Sequence, residues 1–173
     1  MTHGPVPVVV VNDASCLIDL RKAQLLHLLV QLPYRLVIPL PVRESELIRF
    51  TPQEWALLDA GIEVFDLPPA RVTEAFAVKA AHPKLSANDC FCLVTTRCHD
   101  DAVLLTGDGL LRGVANADGR RVHGVLWVID ELHRLALCDE ETLAAALELW
   151  RNDPTVRLPT PDVMRRLQLF RHQ

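Results

Sequence analysis

Four acidic positions stand where the surrounding pattern could put them to chemical use. Asp13 follows directly on the valine run in "VVVVND", one acid lies within "VRESEL", Asp89 sits in "SANDC" and Asp108 in "LLTGDG". Carboxylates gathered in one cleft repel each other, and each raises its neighbours' pKa unless something neutralises them. A divalent cation does so. An all-oxygen donor set suits Mg²⁺ or Mn²⁺, which keep several waters and share phosphate oxygens with a substrate. Zinc fits poorly, because the seven histidines are scattered and no H-x-x-x-H or Cys/His ligand spacing occurs. The chemistry such a site supports best is metal-assisted hydrolysis of a phosphodiester, which activates a water, positions it in line and stabilises the leaving oxygen without a covalent nucleophile.

Each acid also has a plainer role. Asp13 suits the cap of a following helix, Ser86 and Asp89 have the spacing of a capping box, and Asp108 between two glycines suits a tight turn. Within "VRESEL" there are two candidates, Glu44 and Glu46. At about 100° per residue, Glu46 shares a helix face with Val42 and Phe50, and Glu44 points away from them. A carboxylate on a buried face needs a partner or a metal. This favours Glu46 and leaves Glu44 as the alternative.

The elements that must hold these residues alternate along the chain. Residues 6–11 read as a central strand, and "CLIDLRKAQLLHLLVQL" has leucines at helical spacing as far as Pro33. "RLVIP" is a second strand, followed by a helix carrying "VRESELI". Thr51, Pro52 and Glu54 open a helix that Gly61 can close. "IEVFDL" is a third strand. Helices follow in "ARVTEAFAVKAAH" and "SANDCFCLVTTRC", then a fourth strand in "AVLLT", a helix in "LLRGVANA" and a fifth strand around "RVHGVL". Further helices are expected in "VIDELHRLAL", "EETLAAALELW" and "TPDVMRRLQLFRH". This alternation predicts an α/β fold, with a central parallel sheet of about five strands and helices on both faces. Ligands of such sheets bind beyond the strands' carboxyl ends, where strand order reverses. Three of the acids map to that edge, and Asp13 and Asp108 become neighbours if the reversal lies between the first and fourth strands.

Composition bounds the rest. The 173 residues, half of them apolar, suit one domain, with residues 131–173 as a helical extension packed on it. There is no long apolar run and no basic-then-apolar leader, so a soluble, cytoplasmic protein is expected, not a membrane one. Five cysteines without a C-x-x-C pair read as reduced, mostly buried thiols. A net charge of −4 argues against binding nucleic acid through overall positive charge but leaves room for a local basic rim. Arg112, one turn past "GDG", is the best placed cation for substrate phosphates; Lys84, Arg120 and Arg121 are weaker candidates. His123 and Trp127 are read as core or boundary residues.

"VNDASCLIDL", "ESEL", "SANDCFCLV" and "LLTGDGLLRGVA" together resemble the PIN-domain nucleases, in particular the VapC-like toxins of bacterial toxin–antitoxin modules and their unpaired relatives. The resemblance covers roughly residues 7 to 130. It implies a PIN-like fold and Mg²⁺- or Mn²⁺-dependent ribonuclease activity on RNA. Asp13, Glu46, Asp89 and Asp108 are then the catalytic, metal-holding acids, supported by Ser15 and Thr106. It also implies an antitoxin that restrains the site and a homodimer. The alternative is an idle PIN-like module that binds a protein or RNA partner. A phosphoacceptor receiver domain would need a lysine after the fifth strand, and "VHGVLWVID" has none; no G-x-G-x-x-G follows the first strand for a dinucleotide.

Overall fold

The valine run forms the middle of a sheet. In the computed structural model, which describes residues 7–171, β1 (Val9–Asn12) lies between β2 (Arg35–Pro39) and β4 (Val103–Leu105). Beyond them lie β3 (Glu63–Phe65) and β5 (Arg121–His123). The order is β3-β2-β1-β4-β5, and every neighbouring pair is parallel. The chain builds outward from β1 through β2 to β3, then returns to the other side of β1 for β4 and β5. Strand order therefore reverses between β1 and β4, the expected place for a binding crevice. Residue 6 of the expected first strand and residue 172 of the expected last helix lie outside the described residues.

Burial on both faces explains why β1 is a continuous run of valines rather than an alternating one: Val10 and Val11 are fully buried. Asn12 closes the strand and is also fully buried. Its amide nitrogen donates to the carbonyls of Val10 and Val37, each at 3.1 Å, tying β1 to β2.

The chain leaves β1 into α1 (Ala14–Lys22) and α2 (Leu26–Leu29). The leucine spacing predicts one helix here, but the structure has two. Gln24 adopts a left-handed φ of 58°, its N–H bonds Arg21 O, and the Leu25 N–H bonds Leu20 O at 2.9 Å. This is a Schellman termination, in which buried Leu25 packs back toward buried Leu20, so the apolar contact that suggested continuity ends the helix.

The helix after β2, α3 (Leu40–Glu46), is also shorter than expected and stops before Leu47. In α4 (Pro52–Gly61), Thr51 and Glu54 form the predicted capping box. Gly61 does not supply a left-handed cap. Instead, a Cβ there would lie 2.5 Å from Val30 Cβ, so glycine permits a close approach of α4 to the α2 segment. The helices α5 (Pro69–Ala81), α6 (Ala87–Arg97) and α7 (Gly109–Ala117) follow. β5 is shorter than "RVHGVL", because Gly124 is already the N-cap of α8 (Val125–Arg134).

The chain ends with α9 (Glu140–Asn152) and α10 (Thr160–Arg171), which pack on each other. The hydrophobic core runs without a break from the sheet into this region through Leu147, Trp150 and Leu167. The Trp150 indole donates to Asp19 O at 2.8 Å, and Arg166 forks onto Asp130 of α8 at 2.7 and 2.6 Å. All five cysteines are free thiols; Cys16, Cys90 and Cys92 are buried, and Cys98 and Cys138 half-buried. Among the described residues, no helix is long and apolar enough to cross a membrane.

Candidate active site

Where β1 ends beside β4, the backbone itself brings two candidate residues together. The Asp13 N–H donates to Leu105 O at 3.0 Å, which sets Asp13 against Thr106 at the point of reversal. Asp13 is the N-cap of α1 by position, yet its side chain makes no cap hydrogen bond. It is held by hydroxyls instead: Ser15 Oγ and Thr106 Oγ1 each donate to Oδ2 at 2.7 Å. The buried Cys92 thiol lies 3.9 Å from Oδ1. Asp13 is only 4% exposed. Burial pushes its carboxyl above the ordinary aspartate range, the two hydroxyls pull it back, and the charge of Asp89 raises it again.

The hydroxyls also organise the loop after β4. Thr106 Oγ1 accepts from the Asp108 N–H at 3.0 Å, and Ser15 Oγ accepts from the Gly107 N–H at 2.9 Å. Each hydroxyl thus donates to a carboxylate and accepts from an amide, and the rotor of each is fixed. Asp108 opens α7, accepting from the Leu111 N–H at 2.7 Å, and is exposed.

Glu46 is the last residue of α3 and half-buried, whereas Glu44 is exposed. Their burial follows the helix-face expectation, although Phe50 lies beyond the helix end and played no part. Glu46 accepts a hydrogen bond from the Asn88 amide of α6, which also donates to Ser45 Oγ at 2.8 Å. Burial raises the Glu46 carboxyl above its usual range, the Asn88 bond lowers it, and the charges of Asp13 and Asp89 raise it. Asp89 forms the predicted capping box with Ser86: its Oδ2 accepts from the Ser86 N–H at 2.7 Å, and Ser86 Oγ accepts from the Asp89 N–H at 3.0 Å.

Asp13, Glu46 and Asp89 therefore lie within electrostatic reach of each other, and Asp108 is linked to Asp13 through Thr106. They do not converge fully. Among the described residues, no group of three or more His, Cys, Asp or Glu side chains stands ready to hold a metal ion. The reason is local: Asp89 and Asp108 each give one oxygen to a backbone amide of their own helix, and Glu46 gives one to Asn88. Like charges without a counterion are stabilised by turning to such donors. The donor set is nonetheless all carboxylate and hydroxyl oxygen, which fits a hard divalent cation.

Arg112 on α7 donates to Thr106 O at 2.9 Å, so its guanidinium lies at the carboxyl end of β4, as its spacing suggested. Arg120 and Arg121 do not belong to this edge. The register pairs Arg121 with Val103, at the amino end of β4, and their side chains turn to Asp118 and to Asp101 O. The strand's carboxyl end carries His123 instead, paired with Leu105; β5 starts at Arg121, so both arginines fall at the opposite end of the strand from the acids. Lys84 lies exposed in the loop before α6. Sequence reasoning missed Asn88, whose polar side chain in "SAND" looked like ordinary helix-start composition. It also missed Asp19, whose Oδ2 lies 4.0 Å from where a Cβ on Gly107 would be. Asp19 is one turn after Ser15 on the same face of α1, and that i, i+4 spacing was the available signal.

No curated protein matches the chain. A family model described as PIN domain matches residues 9–171, from β1 to the end of α10. With the parallel five-stranded sheet and acids at its point of reversal already in place, the match over nearly the whole chain means that the protein belongs to the PIN-domain family.

Proposed function

We propose that this chain is a Mg²⁺- or Mn²⁺-dependent ribonuclease that hydrolyses RNA phosphodiester bonds at the Asp13 edge. Membership of the PIN-domain family suggests a nuclease-like function in broad terms. The observation that carries the finer reading is a buried Asp13, held by hydroxyls, within electrostatic reach of Glu46 and Asp89: burial first, and the neighbouring carboxylate charges in addition, raise the carboxyls of Asp13 and Glu46 above their ordinary range. A fold that keeps a buried acid beside two others, and tethers it by hydroxyls rather than by an arginine, has left the counter-charge to come from outside. Asp13, Glu46, Asp89 and Asp108 would hold the cation. When bound, it would lower the pKa of a water and stabilise the leaving oxygen. Ser15 and Thr106 fix one oxygen of Asp13 and leave the other available. Arg112, anchored on the β4 carbonyl, would orient a substrate phosphate.

As a finer reading still, the chain is the VapC-like toxin of a toxin–antitoxin pair, a single cytoplasmic domain whose extension from residue 131 packs on its core, with an antitoxin and a second copy as partners. A neighbouring gene encoding a small DNA-binding protein would support that assignment. One observation favours a second reading, an idle interaction module: Asp89 and Asp108 already serve as helix-capping residues.

Titration calorimetry of the metal-free protein with Mn²⁺, beside RNA cleavage with and without EDTA, separates the two readings. A nuclease binds Mn²⁺ and cleaves, and Asp13→Asn loses both. Wild-type protein that does neither is the idle module.

A further inference from the structure

A groove of about 930 Å³ extends from Ser15, Asp108 and Arg112 of the proposed site onto residues that the proposed chemistry does not use. Ser15, Gly107 and Asp108 lie at one end of it, His123 and Trp127 line it, and the segment carrying Arg157 and Arg165 forms a wall. This wall belongs to the C-terminal region beyond α9. Lys22 donates to Thr155 Oγ1 at 2.7 Å and Arg166 forks onto Asp130, so the wall is fixed to α1 and α8 before anything binds.

Charge and shape in the groove point to one kind of ligand. The chain is acidic overall, yet the groove gathers Lys22, Arg112, Arg157, Arg165 and Arg166 against four aspartates. Lys22, Arg165 and Arg166 are paired with Asp19, Asp162 and Asp130. Arg112 and Arg157 have no carboxylate partner among the described residues, and Arg157 is exposed. Gly124 makes room for Arg112, because a Cβ there would lie 3.0 Å from its Nη2.

The same groove is lined by His123 and Trp127, which belong to an aromatic ladder. The His123 ring stacks on Trp127 with centroids 5.0 Å apart and planes 5° from parallel, and Tyr34 leans on Trp127 at 5.3 Å. Burial and the charges of Arg121 and Arg112 favour the neutral imidazole, opposed by Glu131 and Asp130, so His123 contributes a π-face more than a cation. Unpaired cations beside a stacked aromatic floor suit a nucleic acid whose phosphates pair with the arginines and whose base adds to the ladder. A-form duplex RNA keeps its base faces stacked inside, so this floor selects unpaired bases.

We infer that the groove is a subsite for single-stranded RNA, in which Arg112 and Arg157 hold flanking phosphates and the His123–Trp127 stack receives one nucleobase. The inference rests on the ribonuclease reading and gives the C-terminal region a part in substrate selection. Its test is fluorescence anisotropy of a labelled single-stranded RNA dodecamer and the matching duplex, with full-length protein in EDTA, alongside cleavage in Mn²⁺. Wild type should prefer the single strand. Arg157→Glu, at an exposed position that spares the fold, should weaken binding about tenfold and reduce the slope of log Kd against log salt by about one. Trp127→Leu should weaken binding about tenfold with the salt slope unchanged, and in both variants KM should rise while kcat stays near wild type. If wild type cleaves but both variants bind and cleave as it does, the strand runs elsewhere and the subsite is refuted while the nuclease stands. Equal affinity for duplex refutes the selection of unpaired bases. A wild type that neither binds nor cleaves RNA refutes both readings.

Discussion

Removing the Thr106 hydroxyl tests whether Asp13 is held as an anion. Thr106 is fully buried, and Thr106→Val keeps its shape while deleting the 2.7 Å bond to Asp13 and the acceptor for the Asp108 N–H. A hydrogen bond to a charged group contributes roughly 1.5–3 kcal/mol, against about 1 kcal/mol for a neutral pair. Water can reach exposed Asp108 and replace the second bond, so the loss should be about 2 kcal/mol. In a chain of this size that lowers Tm by roughly 4–8 °C.

Asp13→Asn offers the hydroxyl a neutral acceptor, and in that background Thr106→Val should cost only about 1 kcal/mol. The coupling between the two substitutions is then about 1 kcal/mol. Urea unfolding of the four proteins in EDTA at neutral pH measures it, compared at one urea concentration near the midpoints to avoid extrapolation error. Coupling within about 0.3 kcal/mol of zero would refute the reasoning. Thr106 would then be bonded to a protonated acid, and the proposed cation would lose its principal charge.

Asp13→Asn and Asp108→Asn should each abolish cleavage and weaken Mn²⁺ binding in calorimetry, and Asp13→Asn should slightly raise the metal-free Tm by removing a buried, repelled charge. Glu46→Gln should eliminate activity in the same cleavage assay while Glu44→Gln retains it; a dead Glu44→Gln would reverse the assignment. Gly61→Ala forces a Cβ to within 2.5 Å of Val30 and should cost about 1–3 kcal/mol in urea unfolding with cleavage unchanged. His99 is held below the usual histidine pKa by burial and by Arg35, so the unfolded chain takes up its proton first as pH falls. The associated stability is complete above about pH 6.5 and is lost as the pH drops from there through the folded-state value. His99→Asn should flatten that part of the Tm–pH curve, and an unaltered slope would assign it to other groups.

The sequence was most legible where a residue's role depends on one element alone. Uniform valines betray a strand buried on both faces, and the Thr51–Glu54 and Ser86–Asp89 boxes state their own helix starts. It was less legible where two elements meet. The break at Gln24 depends on Leu25 finding Leu20, and glycine at 61 depends on Val30, which lies 31 residues earlier. The arginines show the same limit: Arg112 could be placed by counting one turn from "GDG", whereas Arg120 and Arg121 went astray because a strand that starts at Arg121 and runs parallel to β4 puts both at its amino end, opposite the acids.

The acids combine both kinds of information. Their plain capping roles and their proposed catalytic roles were set out as rivals, yet Asp89 and Asp108 can fill both, because a carboxylate has two oxygens. Each gives one to a backbone amide, which fixes the side chain, and the capping bond thereby limits where the second oxygen can lie. Asp13 follows the same rule with hydroxyls in place of amides: two donors converge on Oδ2 and Oδ1 is left over. Glu46 follows it with Asn88. Each of the four acids is thus anchored through one oxygen, and in the proposed site it is the other oxygen that would face the cation. Capping and the proposed metal binding are therefore compatible in kind, and the Mn²⁺ titration decides whether the capped acids also take a cation.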